Sequence, residues 1–151
     1  MDMQPLVRLT YFSKALVDPG CSEVMRGIMM RAALRNSASG VTGVLAAGPD
    51  SFVQLIEGPR DAVAATIGRI ARDQRHTQLV PVEVVESSER LFPQWRLATA
   101  EYSAEHLDAL SYAALSTSSA CRIHSLLAGL KIDTRASAIV GLNITAATVV
   151  V

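Results

Sequence analysis

The chain has 151 residues, about the size of one domain, and its 14 basic and 14 acidic residues cancel. Without a basic surface to gather phosphates, nucleic acid is excluded as an expected partner. Two distant cysteines without neighbouring metal ligands favour a reducing compartment. The N-terminus has no signal-peptide pattern, and the apolar tail 136–151 is too short to span a bilayer. The sequence therefore predicts a soluble cytoplasmic protein without a membrane partner.

The first half of the chain predicts strands and one helix. Alternating apolar residues over 6–11 predict the first strand. Apolar residues at helical spacing then predict a helix that ends near residues 37–40, where serine and glycine cluster. Two short apolar runs, 41–47 and 51–57, flank turn residues and predict a hairpin.

The second half begins with a helix that opens at Pro59 and ends near Asp73. Strands should follow over 79–85 and 96–100, and helices over 104–115 and 119–130. The tail 136–151 is ambiguous, since it could be a packed final element or a surface for association. The second helix should bury a stripe of four apolar side chains, namely Val63, Ile67, Ile70 and Ala71.

This order, β-α-β-β-α-β plus one further strand, is typical of the α+β class. It predicts a ferredoxin-like sandwich, in which an antiparallel sheet has two helices on one face. Residues 1–100 should form this domain. Residues 101–151 should form a C-terminal helical and apolar extension that covers the other face.

The sequence contains no HExxH, P-loop or GxSxG motif, and its three histidines share no spacing. A binding or signalling domain is therefore favoured over an enzyme. Two amides fall where apolar residues are expected, because Asn36 ends the stripe of the first helix and Gln54 lies in a buried strand. Each could satisfy nearby backbone groups, or both could face a polar ligand near Tyr11.

Five stretches occur in order within about residues 6–100, namely 8–15, 35–45, 52–59, 70–76 and 90–95. Through these stretches the chain resembles the BLUF family of blue-light sensors that use FAD. The resemblance implies a flavin-binding photoreceptor that is not an enzyme. FMN or riboflavin is not distinguished from FAD.

The resemblance assigns the photoactive roles to two side chains. Tyr11 matches the residue that gives an electron and a proton to the excited flavin. Gln54 matches the amide between that tyrosine and the flavin, where rotation or tautomerisation would invert the hydrogen bonds and shift the spectrum to the red. Asn36 matches the residue that holds the flavin C4 carbonyl and N3, although it could equally cap its helix.

Further residues correspond to the remaining parts of the family's cofactor site. Ile28 and Ile70 match side chains that sandwich the flavin ring, and core packing is their alternative role. Asp73 could instead end its helix, and Arg35 could reach a phosphate or solvent. The segment expected to meet the ribityl and phosphate groups comprises Asp73, Arg75 and His76.

The resemblance places signal relay on the fifth strand, at Trp95 and Leu97. Leu97 replaces the family's usual methionine and removes a sulfur that could accept a hydrogen bond. The signal should leave through the C-terminal region to a separate effector protein, and a homo-oligomer is expected. Two competing hypotheses are a flavin-dependent oxidoreductase and a light-insensitive ferredoxin-like interaction module.

Overall fold

The computed structural model describes residues 4–18, 39–93, 96–98 and 108–129, together with the single positions 23 and 27. Within these ranges one sheet has the strand order β4-β1-β3-β2-β5. The β1–β3, β1–β4 and β2–β3 pairs are antiparallel, and β2–β5 is parallel. The predicted ferredoxin-like α+β fold is confirmed. The predicted first helix lies almost wholly, and the tail 136–151 wholly, outside the described residues.

The strands are β1 Leu6–Ala15, β2 Thr42–Ala47, β3 Ser51–Pro59, β4 His76–Ser87 and β5 Arg96–Ala98. The helices with described bounds are α1 Arg60–Ala71, α2 Tyr112–Ser116 and α3 Ala120–Ala128. None of the described helices is long and apolar enough to cross a membrane.

β1 and β4 are both longer than predicted. They pair over almost their whole lengths, from Leu6 opposite Ser87 to Ala15 opposite His76. Cross-strand pairing therefore extends β4 beyond the valine-rich centre that the sequence pattern indicates. Pro81 is accommodated in this edge strand where the register shifts next to Tyr11.

Helix α1 covers one face of the sheet. Val63 and Ile70 are buried there as predicted, and Ile67 is half-buried. The prediction was wrong for Ala71, which is exposed, while Thr66 is fully buried. Thr66 can lie in the core because its hydroxyl donates to the carbonyl of Ala62 at 2.7 Å.

Helices α2 and α3 pack on the opposite face. The predicted helix over 104–115 is interrupted in its described part at residues 110–111, because Ser111 caps a new helix that starts at Tyr112. The Ser111 side chain accepts a hydrogen bond from the Ala114 amide at 3.2 Å. Helix α3 agrees with the prediction within two residues at each end. The buried cluster on this face contains Phe12, Val44, Ala46, Val53, Leu55, Phe92, Leu110, Leu115, Ile123 and Leu127.

The β2–β3 turn fixes the start of the C-terminal segment. A Cβ atom on Gly48 would collide with the carbonyl of Leu110, so the close approach requires glycine. Ser51 donates its hydroxyl to that same carbonyl. The amide of Tyr112 donates to Asp50 Oδ1 at 2.9 Å.

Candidate functional site: a buried tyrosine–glutamine pair

Two central strands bring Tyr11 and Gln54 together. Tyr11 on β1 lies directly opposite Gln54 on β3. The side chains point to the same face, since opposite residues of an antiparallel pair share a face. Tyr11 is 1% exposed and Gln54 is fully buried. The Tyr11 hydroxyl donates a hydrogen bond to Gln54 Oε1.

The other end of the Gln54 amide has no partner among the described residues. Its Nε2 atom is buried and makes no hydrogen bond to them. An unsatisfied buried donor costs about 1–3 kcal/mol, so natural cores rarely contain one. A ligand that offers an acceptor would satisfy this atom. The polar edge of a flavin ring has such acceptors, so the residues present fit this cofactor.

Burial strongly affects the Tyr11 phenol. Desolvation raises the pKa of Tyr11 well above its ordinary value, and the negative charge of Asp73 raises this pKa further. A free phenolate is therefore disfavoured at this position. The phenol can release its proton readily only along its hydrogen bond, towards Gln54.

Asp73 and Arg75 form an ion pair just after the end of α1. Arg75 Nε donates to Asp73 Oδ1 at 2.8 Å, its backbone amide donates to the same oxygen at 2.9 Å, and Nη2 donates to Oδ2. The hydrogen bonds from Arg75 lower the pKa of Asp73. The pair raises the pKa of Arg75 in turn. Each side chain thus holds the other in one geometry.

His76 joins β1 to the end of α1. Its Nε2 lies 2.6 Å from the Ile70 carbonyl, and its Nδ1 lies 2.6 Å from Ser13 Oγ. A carbonyl only accepts, so Nε2 carries the proton. The ring centroid is 6.3 Å from that of Tyr11. Since protein groups lie within hydrogen-bond distance of both ring nitrogens, the His76 ring is held in one position beside the Tyr11 phenol.

Of the other predicted site residues, the structure describes Ile70 and Leu97 but not the remaining four. Ile70 is 1% exposed and belongs to the same core cluster as Tyr11. Leu97 lies in a register row that runs across the sheet to Leu45, Gln54 and Tyr11. The predicted relay strand is therefore in register with the Tyr11–Gln54 pair. Four predicted site residues lie outside the described residues: Ile28, Arg35, Asn36 and Trp95.

Glu57 is a structural anchor that the sequence analysis did not single out. It is 1% exposed, and its carboxylate accepts the backbone amides of Leu91 and Phe92, both at 2.9 Å. Next to it, Arg90 donates to Thr42 Oγ1 at 2.7 Å and to the Gly40 carbonyl at 2.8 Å. An acidic residue at the end of a buried strand was the available signal.

The fold and the site together define a ferredoxin-like domain with a tyrosine–glutamine pair at the centre of its sheet. In the described part of the chain no group of three or more His, Cys, Asp or Glu side chains could hold a metal ion. The family model "BLUF: Sensors of blue-light using FAD" matches residues 6–98. The chain belongs to the BLUF family, which confirms the resemblance in the sequence.

Several characterised proteins are similar to this region. A photoactivated adenylate cyclase subunit beta-like protein of Euglena gracilis is 39% identical over 96 residues, or 63% of this chain. The cyclase subunit beta of Euglena longa is 38% identical over the same length. The match spans only 11% of the length of each of these relatives.

Solved structures agree with the fold. BlrB, a BLUF protein in its dark state, has a TM-score of 0.61 and 30% identity, over 84% of this chain and 98% of that one. The photo-activated state of BlsA has a TM-score of 0.70 over 85% of this chain and 99% of that one. At 21% identity, the likeness to BlsA supports the fold alone.

Proposed function

We propose that this chain senses blue light through a hydrogen-bond switch formed by Tyr11 and Gln54. The observation that carries the proposal is the buried Tyr11–Gln54 hydrogen bond, together with the Gln54 Nε2 atom that no described residue satisfies. A hydrogen-bond pair with one open end is suited to a ligand whose electronic state changes with light. The BLUF family supplies the sensory role, and the mechanism is our inference.

The cofactor we propose is FAD, which the family description names, with FMN and riboflavin as alternatives. When bound, the flavin supplies the absorption of blue light and the acceptor for an electron. Gln54 would contact its polar edge, and Ile70 would pack against its ring. The other residues proposed to hold it are Ile28, Arg35, Asn36, Asp73, Arg75 and His76.

The chain's own residues would act in a short cycle. Tyr11 gives up one electron and its phenolic proton, and the proton moves along the hydrogen bond towards Gln54. The Gln54 amide then rearranges and exchanges its donor and acceptor ends. The electron and the proton both return to Tyr11, so no net reaction occurs. On this basis we propose that the domain is a switch and not an enzyme.

The output would leave through the sheet. Leu97 shares a register row with the photoactive pair, and we propose that Leu97 and Trp95 relay the change. Residues 1–100 would form the sensor, and residues 101–151 the extension that transmits the signal. Relatives are named as photoactivated or light-regulated cyclases, which supports an effector downstream of the sensor. We further propose that this effector is a separate protein and that the chain self-associates. A cytoplasmic location stays a prediction.

Absorption spectra of the purified, flavin-loaded chain before and after blue light test the mechanism. We expect a reversible red shift in the natural protein and none in Tyr11→Phe or Gln54→Leu, with flavin still bound. Tyr112→Phe is the matched control, and the shift should persist there. The Tyr112 hydroxyl donates to the Gln78 carbonyl, and its ring packs with the cluster on the other face of the sheet. A normal red shift in Tyr11→Phe would contradict the mechanism.

The same preparation distinguishes the alternatives. A colourless protein that takes up no flavin would support the light-insensitive interaction module. Steady consumption of a nicotinamide substrate would support the oxidoreductase.

A further inference from the structure

β1 contacts different helices on its two faces. Tyr11 belongs to the core cluster that includes Ile70 of α1. Thr10, the preceding residue, is fully buried and faces the opposite side, where its Oγ1 lies 3.2 Å from Nε2 of His124 on α3. Successive side chains of a strand alternate between faces. A C-terminal helix is thus attached to β1 one residue away from the phenol.

Charged side chains surround this attachment. Glu83 Oε2 lies 2.7 Å from His124 Nε2 and 3.5 Å from Arg8 Nε. Arg8 Nη1 lies 3.6 Å from Glu57 Oε1. Glu83 Oε2 accepts no well-aligned hydrogen bond from the described residues. Two carboxylates, those of Glu57 and Glu83, face the one guanidinium of Arg8.

The cluster is shielded from solvent. The exposed fractions of the side chains are 16% for Arg8, 17% for Glu83, 19% for His124 and 2% for Glu57. Charge pairs interact more strongly when they are withdrawn from water than when they are exposed. Water therefore screens the contacts of Arg8 with Glu57 and Glu83 less than it screens an exposed ion pair.

On its other side His124 borders an open cavity. The cavity is lined by Leu91 and Phe92 of the β4–β5 loop and by His124, Ser125 and Ala128 of α3. Phe92 of the loop and the side chains of Ile123 and Leu127 on α3 belong to one buried cluster, which packs α3 against the sheet. The polar contacts of His124 with β1 and β4 add a second attachment beside the cavity.

We propose that His124 is a positioning residue that fastens α3 to β1 and β4 and transmits changes at Tyr11 to the C-terminal helices. This route is independent of the relay strand β5. The transmission rests on the proposed photosensory function, whereas the fastening does not. The two parts can therefore be tested separately.

Hydrogen exchange of the amides of residues 120–128, measured in the full chain in the dark, tests the fastening. His124→Phe keeps a ring without nitrogens, and Glu83→Gln removes the charge opposite it. We expect each variant to exchange about fivefold faster, and the double variant to show little further increase. Arg122→Gln, an exposed position on the same helix, should exchange like the natural protein.

Unchanged exchange in His124→Phe, or fully additive effects of the two substitutions, would overturn the fastening. The light experiment then uses the flavin-loaded chain. We expect illumination to change the exchange of residues 120–128 in the natural protein. In His124→Phe this change should disappear while the red shift remains.

A light-induced change in α3 that persists in His124→Phe would overturn the transmission. So would a natural protein with a normal red shift and no change in α3. If the natural protein lacks a red shift, the proposed function fails, and the transmission fails with it. The dark comparison would still decide the fastening, so the two failures are distinguishable.

Discussion

At the scale of single residues, the phenol of Tyr11 is withdrawn from water and lies near a negative charge. Its burial and the charge of Asp73 both raise its pKa. The folded state therefore favours the neutral phenol. The stability that this contributes is present below the ordinary tyrosine pKa of about 10 and is lost as the pH rises above it.

We expect Tyr11 to remain protonated in alkali for as long as the protein is folded. The chain has three tyrosines, and phenolate absorbance during a pH titration counts those that ionise. Tyr11→Phe should therefore leave the amplitude of the titration below the alkaline unfolding transition unchanged. A loss of one tyrosine's share of that amplitude would show that Tyr11 ionises in the folded state.

The sequence predicts some features of the site and not others. Tyr11 and Gln54 are recognisable because an amide in a buried strand violates the hydrophobic pattern. The two hydrogen bonds of His76, to Ser13 and to the Ile70 carbonyl, were not predictable, and Ser13 lies 63 residues away in the sequence. One of the partners of His76 is a backbone atom, whose identity no side chain encodes. Tertiary packing alone brings these groups together.

At the scale of elements, Gly43 shows why β2 can lie against β3. Its φ is +155°, and an added Cβ would collide with the Leu55 carbonyl. A larger residue there must displace the partner strand or distort its own backbone.

Gly43→Ala should lower the free energy of unfolding by about 1–3 kcal/mol. Gly68→Ala is the matched control, because a Cβ on that residue of α1 meets no atom within 4 Å. The control should raise stability by about 0.5–1 kcal/mol through helix propensity. Urea unfolding midpoints at a constant slope measure both changes. Equal changes in stability in the two variants, or a larger loss of stability in Gly68→Ala, would contradict the predicted crowding.

The elements themselves were largely predictable. The alternation in β1 and the turn residues of the β2–β3 hairpin indicate strands directly. The ends of the elements were less predictable, because pairing with β1 extends β4 at both termini. Ser111 divides the C-terminal segment in a way that local periodicity does not reveal. Capping and pairing depend on neighbours that the pattern does not encode.

At the scale of the whole molecule, the two faces of one sheet contribute to two separate hydrophobic cores. The cluster beneath α1 contains Tyr11, and the cluster beneath α2 and α3 contains Phe12, Leu115 and Ile123. Adjacent residues of β1 thus belong to different cores. The two halves should therefore unfold together, although the sequence suggests a domain and an extension.

Ile123→Ala should lower the free energy of unfolding by about 2–5 kcal/mol, because that side chain is fully buried. Arg122→Ala, the exposed neighbour, should change it by less than about 0.5 kcal/mol. Circular dichroism and flavin release, followed in the same titration, should shift together. A flavin transition that does not move would mean that the C-terminal cover unfolds independently of the sensor.

The open end of the Gln54 amide has a consequence for the cell. A chain that folds without flavin buries a donor that no described residue satisfies. On the proposed function, flavin binding would remove that penalty and would stabilise the fold by mass action. Cells starved of riboflavin should then accumulate less of this protein, since proteases would degrade the less stable form that lacks flavin. Abundance, as well as photosensitivity, would follow nutrient supply.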